Sequence, residues 1–125
     1  HPVLVTPIVM RNFREEGTLP VSFPEYGEVM LSMADVAPVL DLGLATKEYC
    51  EKLGAEESRK RFLWVRPGEF PESIYRQGHE DDAHLNGLGA SEFAGILAGL
   101  LRKSQEPELE ELRKWIEQTE QPGQT

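Results

Sequence analysis

The chain opens on a run, Val3 to Met10, that is almost continuously apolar and rich in β-branched side chains. Such a run is typical of a strand that is covered on both faces, as the strands of parallel sheets are. Pro7 has no amide hydrogen for a sheet ladder, so strand pairing is expected to end there. A strand of this kind needs helices over both faces and strands beside it. Its place at the beginning of the sequence predicts that the true start of the protein lies elsewhere.

A helical pattern and a second strand follow. From Glu25, apolar residues recur at intervals of three and four, which predicts a helix that packs one face against a neighbour. These residues are Tyr26, Val29, Met30, Met33 and Ala37. Residues 36–42 are then expected to form a second short buried strand. Alternating strands and helices indicate an α/β fold, and two strands are too few for a complete sheet. We therefore expect the C-terminal half of a larger doubly wound domain.

Two further helices are predicted downstream. Thr46 is expected to cap the first of them, which carries Tyr49, Cys50 and Leu53 on its inner face and ends at Gly54. A short helical piece, residues 56–61, leads to residues 62–65, which form either a strand or a buried loop wall. A long loop over residues 67–80 precedes the last and most regular pattern, a helix over residues 89–103.

Acidic residues outnumber basic ones by 22 to 13, for a formal net charge of −9. This charge repels phosphate backbones and anionic lipid headgroups, so neither nucleic acid nor a membrane surface is an expected partner. We separate residues 105–125, an acidic amphipathic tail with Leu109, Leu112 and Ile116 at helical spacing, from the main domain, residues 1–104. The single cysteine, Cys50, excludes an internal disulfide and a cysteine-based zinc site, and it leaves the cellular compartment open.

Ionisable side chains concentrate between His79 and His84, directly before the last predicted helix. Asp81 and His84 have the spacing of a catalytic pair, in which the carboxylate would fix the tautomer of an imidazole that acts as general base. Alternatively, His79, His84 and the neighbouring acids would bind zinc or manganese. The third interpretation is a solvated acidic loop, which the positive end of the following helix favours. Spacing alone leaves all three open.

Residues 81–90, Asp-Asp-Ala-His-Leu-Asn-Gly-Leu-Gly-Ala, resemble the last conserved block of the SGNH, or GDSL-like, hydrolases. Other segments resemble the rhamnogalacturonan acetylesterase branch of that family. They are the opening run, with Arg11 and Phe13 after it, and residues 39–42, 49–54 and 62–69. The resemblance covers about residues 2–103, with the segments in the same order.

The resemblance implies a three-layer, flavodoxin-like α/β hydrolase that removes acetyl groups from pectic polysaccharide, a carboxylic ester hydrolase without a cofactor or metal. His84 would be the base of a Ser-His-Asp triad and Asp81 its acid, with Asp82 and Ala83 as the spacer. The nucleophile and oxyanion hole of such enzymes belong to N-terminal blocks that this sequence does not contain, and none of its serines lies in a Gly-Asp-Ser context. The chain alone is therefore expected to be inactive.

Further expectations concern binding. Arg11, near the end of the first strand, is a candidate substrate-binding residue, and Trp64 is a candidate platform for a sugar ring. The expected partners are an acetylated pectic oligosaccharide and the missing N-terminal half of the same fold. An unpaired sheet edge also predicts self-association, and His79 is expected to be an exposed loop residue. The alternative function is a non-catalytic interaction domain whose acidic helix or sheet edge binds a partner.

Overall fold

The computed structural model describes residues 1–119. Two short strands, β1 (Leu4–Val5) and β2 (Val39–Leu40), pair in parallel, with Leu4 opposite Val39 and Val5 opposite Leu40. The last hydrogen bond of the pair runs from the Thr6 amide to the Leu40 carbonyl at 3.1 Å. Pairing therefore ends directly before Pro7, as expected, although both strands are shorter than predicted. The combination of a small parallel sheet and helices is compatible with the predicted α/β class, while the flavodoxin-like arrangement stays a prediction.

The first helix, α1 (Pro24–Ser32), corrects the prediction that its apolar stripe is packed. Tyr26 is 65% exposed and Val29 is 61% exposed, and Gly27 is the buried residue of the helix. Helical spacing records which side chains share a face, but it carries no information on whether a neighbour covers that face. The helix also ends before Met33 and Ala37, which the pattern had included.

The second strand and the helix after it also begin elsewhere than predicted. Val36 lies outside β2 and is 75% exposed. The next helix, α2 (Leu42–Arg59), is capped by Asp41, whose carboxylate accepts the Leu44 amide at 3.2 Å. Thr46 is not the cap: it lies inside α2, where its hydroxyl donates to the Leu42 carbonyl at 2.7 Å and accepts the Val9 amide at 3.1 Å.

Gly54 confirms the predicted helix break. Its φ of 80° and ψ of 170° interrupt α2, and the chain resumes a helical path after it. Glycine adopts this left-handed φ without the steric penalty that a Cβ would bring. The break therefore divides α2 into the two helical pieces that the sequence predicts.

The last predicted helix is confirmed as α3 (Gly87–Lys103), with Asn86 as the cap that accepts the Gly89 amide at 3.0 Å. Two apolar clusters pack against it. One contains Val9, Leu19, Cys50, Phe62 and Phe93; the other contains Leu40, Leu101 and Leu109. Within the first cluster the rings of Phe62 and Phe93 meet edge to face at 6.3 Å.

After α3 come a short 3-10 helix, Pro107–Leu109, and α4 (Glu110–Thr119). Leu109 is fully buried and Ile116 packs onto the same cluster, so the tail lies against α3. Leu112 is 45% exposed and Trp115 is 63% exposed. The remainder of the tail, residues 120–125, lies outside the described residues. Of the described helices, none is long and apolar enough to cross a membrane.

Candidate catalytic site

The loop over residues 79–86 joins the long predicted loop to α3. Residues 62–65, predicted as a strand or a loop wall, hold it by two isolated antiparallel bridges, Phe62 with Leu85 and Val65 with His79. The Val65 amide donates to the His79 carbonyl at 2.8 Å, and the Leu63 amide donates to the His84 carbonyl at 2.9 Å. Both ends of the loop are thus fixed to a neighbouring segment that includes the fully buried Phe62.

Asp81 organises the turn inside this loop. Its Oδ1 accepts the amides of Ala83 and His84, both at 2.8 Å, and its Oδ2 lies 2.7 Å from Nδ1 of His84. The two backbone amides, followed by the side chains of His84 and His79, hold the pKa of Asp81 well below its ordinary value against the opposing effect of burial. Asp81 is therefore an ionised carboxylate at neutral pH, able only to accept hydrogen bonds.

The ionised carboxylate determines which proton the His84 ring carries. Because Oδ2 of Asp81 can only accept, the ring nitrogen that faces it, Nδ1, must be the donor. Nε2 of the neutral ring then keeps its lone pair. The His84 side chain is 79% exposed, so a group from outside this loop can reach Nε2. Within residues 1–119, the hydrogen bonds of the ring go to Asp81 alone, and no serine hydroxyl is among its partners.

His79 lies closer to this pair than the sequence indicated. Its Nε2 is 3.4 Å from Oδ2 of Asp81, a longer contact than that of His84, and its side chain is 38% exposed. The ring packs on Tyr75 with 4.8 Å between centroids. The sequence predicted an exposed loop residue. His79 does lie in the loop, but it is only partly exposed, and its contact with Asp81 was not predicted.

Asp82, which the family resemblance assigns to the spacer between Asp81 and His84, makes hydrogen bonds to two distant side chains. Its Oδ1 accepts Nε of Arg11 at 2.7 Å and Nε1 of Trp64 at 2.9 Å. The structure therefore brings both candidate substrate-binding residues onto the loop that carries Asp81 and His84. Arg11 is separated from Asp82 by 71 positions, and no local pattern in the sequence could have joined the two.

Trp64 also lines an open cleft of about 1130 Å³ beside the loop. Charged side chains of both signs surround it, namely those of Arg59, Arg66, Glu69 and Glu80. Neither Asp81 nor His84 contributes to the lining. The cleft therefore adjoins the turn without containing the two residues predicted to be catalytic.

Metal binding and cysteine-based catalysis have less support among residues 1–119 than the pair of Asp81 and His84. Within residues 1–119, no group of three or more His, Cys, Asp or Glu side chains is arranged to hold a metal ion. Cys50 is fully buried, and burial raises the pKa of its thiol to about 11. A neutral, buried thiol is a poor nucleophile, because the thiolate is the reactive form.

The fold and the loop together define an α/β protein with a carboxylate-oriented imidazole, the arrangement that hydrolases use as a general base. Comparison with known proteins specifies this class further. The chain is 41% identical over 101 residues to rhamnogalacturonan acetylesterase RhgT of Bacillus subtilis, an alignment that covers 78% of this chain and 42% of the relative. The relationship to rhamnogalacturonan acetylesterases is thereby confirmed over the aligned part, and the chain spans less than half the length of that relative. No protein-family model and no solved structure matches the chain.

Proposed function

We propose that this chain is part of a serine carbohydrate esterase of the SGNH type, and that it supplies the histidine and the aspartate of the catalytic triad. The observation that carries the proposal is the 2.7 Å contact between Nδ1 of His84 and an Asp81 carboxylate held by two backbone amides. The relationship to a rhamnogalacturonan acetylesterase supports it independently. The substrate we propose is an acetylated pectic polysaccharide.

In this proposal, Nε2 of His84 accepts the proton of a serine hydroxyl as the serine oxygen attacks the acetyl carbonyl. The same nitrogen then gives that proton to the departing sugar oxygen, which leaves an acetyl-serine. Water, activated by His84 in turn, hydrolyses the acetyl-serine and releases acetate. Asp81 stays ionised throughout and stabilises the imidazolium that forms at each proton transfer. Its two backbone hydrogen bonds keep it in place for that role.

The serine and the oxyanion donors come from a part of the fold outside this sequence. The greater length of the relative supports this, since the chain covers 42% of it. The exposed apolar surface of α1, with Tyr26 and Val29 more than half exposed, supports a further layer of protein over that face. The chain by itself is accordingly inactive, because base, nucleophile and oxyanion hole act as a unit. Trp64, which lines the cleft beside the loop, is the residue we propose to face the polysaccharide.

The test is a graft in which this chain replaces the aligned segment of the Bacillus subtilis relative. The graft should hydrolyse 4-nitrophenyl acetate and release acetate from acetylated rhamnogalacturonan faster than from acetylated xylan. His84→Ala should lower kcat by at least about a thousandfold. His79→Ala, the matched control, should cost less than about tenfold, because its contact with Asp81 is the longer one. A folded graft in which both variants behave alike contradicts the assignment of His84.

A second candidate, a non-catalytic interaction domain, is favoured by the same exposed face of α1. It predicts that the graft is folded and inactive toward both esters. It also predicts that the isolated chain associates with itself through that face. Sedimentation of the chain before and after Tyr26→Glu tests the second point, because a charge on the exposed face should return an associated chain to the monomer.

A further inference from the structure

Asp82 is bound to Arg11 through both its side chain and its backbone. Oδ1 of Asp82 accepts Nε of Arg11 at 2.7 Å and lies 2.6 Å from Nη2, and the Arg11 amide donates to the Asp82 carbonyl at 2.8 Å. Nε1 of Trp64 donates to the same Oδ1 at 2.9 Å. Hydrogen bonds between two charged groups are among the strongest that side chains make. Asp82 is therefore held in place through both its side chain and its backbone.

Arg11 is fixed in turn by the rest of the fold. Its side chain is 10% exposed, and its Nη1 donates to the Ala55 carbonyl at 2.9 Å, directly after the break at Gly54. Its guanidinium lies 5.2 Å from the centre of the Trp64 ring. The arginine thus connects the segment after β1, the break in α2 and the loop.

We infer that Arg11 is a positioning residue, which acts through Asp82 to hold the turn that carries Asp81 and His84. The contacts of Asp81 with Ala83 and His84 are local, so the turn can form without Arg11. They do not determine where the turn lies relative to the sheet and to a substrate. Bridges to residues 62–65 fix the two ends of the loop, and the Asp82 contacts fix its middle.

This role differs from substrate binding in what it predicts. An arginine that binds an acidic polysaccharide affects KM for that polysaccharide and leaves a small neutral ester unaffected. An arginine that positions the base lowers kcat by the same factor for both substrates, because the same base acts on each. The catalytic part of the inference rests on the proposed function, whereas the effect on the turn does not.

The first experiment measures amide hydrogen exchange in the chain itself. Arg11→Met and Asp82→Ala should each speed exchange at the Ala83 and His84 amides by about tenfold or more, a local opening. The double variant should speed exchange by less than the product of the two single effects, because both substitutions remove the same contact between Arg11 and Asp82. Arg59→Met is the matched control: its guanidinium also lies near the Trp64 ring, at 5.1 Å, but makes no hydrogen bond to Asp82.

Exchange within α3 serves as the internal reference, so that a global loss of stability is not mistaken for a local one. If amide exchange in Arg11→Met is faster throughout the chain, the Arg11→Lys and Asp82→Ala variants test whether Arg11 holds the turn. Unchanged exchange at Ala83 and His84 in these variants overturns the inference. So does an equal acceleration in Arg59→Met.

The second experiment measures kinetics in the graft described above. Arg11→Met should lower kcat by about tenfold to a hundredfold on 4-nitrophenyl acetate and on acetylated rhamnogalacturonan alike, the size of effect that a displaced catalytic group produces. Arg11→Lys should restore part of the loss. An increase in KM confined to the polysaccharide overturns positioning in favour of substrate binding. A folded graft inactive on both esters overturns the proposed function, and the exchange result then decides positioning alone.

Discussion

Replacing Gly89 with alanine should destabilise the protein, although alanine is the better helix former. A Cβ at Gly89 would lie 2.0 Å from the carbonyl oxygen of Arg61 and 2.8 Å from its carbonyl carbon. Both are backbone atoms and cannot move aside by a change of rotamer. Because such atoms rarely approach a Cβ within 3.0 Å, α3 and the backbone at residue 61 must separate by about 1 Å.

The size of the effect follows from what that separation disturbs. Overpacking alone costs about 1–3 kcal/mol. The same movement lengthens the hydrogen bonds from the Asn86 amide to the Arg61 carbonyl, now 3.1 Å, and from the Asn86 side chain to the Phe62 carbonyl, now 3.0 Å. Each contributes about 1 kcal/mol. We therefore expect Gly89→Ala to reduce the free energy of unfolding by about 3–5 kcal/mol.

Gly95→Ala provides the matched control in the same helix. No atom lies within 4 Å of a Cβ built there, so only the gain in helix propensity remains. That gain is about 0.5–1 kcal/mol of stability. Urea unfolding and thermal unfolding, both followed by circular dichroism, measure the free energy of unfolding and the melting temperature of each variant. At about 3–6 °C per kcal/mol for a chain of this size, their melting temperatures should differ by more than about 8 °C. Equal stabilities would refute the close approach of α3 to Arg61.

Three further outcomes follow from the ionisable groups. In His84→Ala, the pKa of Asp81 should stay well below its ordinary value, because the backbone amides of His84 and Ala83 are the leading cause of its depression; carboxyl carbon NMR titration measures it, and a return to about 3.9 contradicts this cause. Asp81→Asn should reduce the free energy of unfolding by its full amount above about pH 4, and by less as the pH falls towards the lower pKa that Asp81 has in the folded state. Unfolding curves of both proteins at pH 6 and pH 2.5 measure this difference. Cys50 should react with a thiol reagent at pH 8 only as fast as the chain unfolds, because its thiol is buried and its pKa is about 11; fast reaction in the folded chain would show that the site is open.

Local features of the fold could be predicted from the sequence. The end of pairing before Pro7, the break at Gly54 and the helix over residues 89–103 all depend on the chemistry of one residue or on a spacing within one element. Proline lacks an amide hydrogen, glycine tolerates a positive φ, and an apolar stripe marks a helix. These effects depend only on the residue itself or on spacing within one element, so the structure agrees with the predictions made from them.

Features that depend on a neighbour could not be predicted in the same way. Asp41 caps α2 instead of Thr46, because the Thr46 hydroxyl is used inside the helix by the Leu42 carbonyl and the distant Val9 amide. The exposure of the apolar stripe of α1 could not be predicted for a similar reason, because it depends on whether another part of the protein packs against that face. The candidate site divides along the same line: Asp81 and His84 are three residues apart, whereas Arg11 and Asp82 meet only in the folded chain.

The two halves of this site therefore have different physical origins. A tight turn around one carboxylate fixes the tautomer of His84, and it needs nothing beyond four consecutive residues. Contacts from elsewhere fix where that imidazole lies: Arg11 holds the middle of the loop, and residues 62–65 hold its ends. Beside this loop, the start of α3 lies close to the backbone of Arg61. The position of the loop therefore also depends on how α3 packs. In the proposed function, the turn orients the base, and the reactivity of that base depends on a nucleophile supplied by another part of the protein.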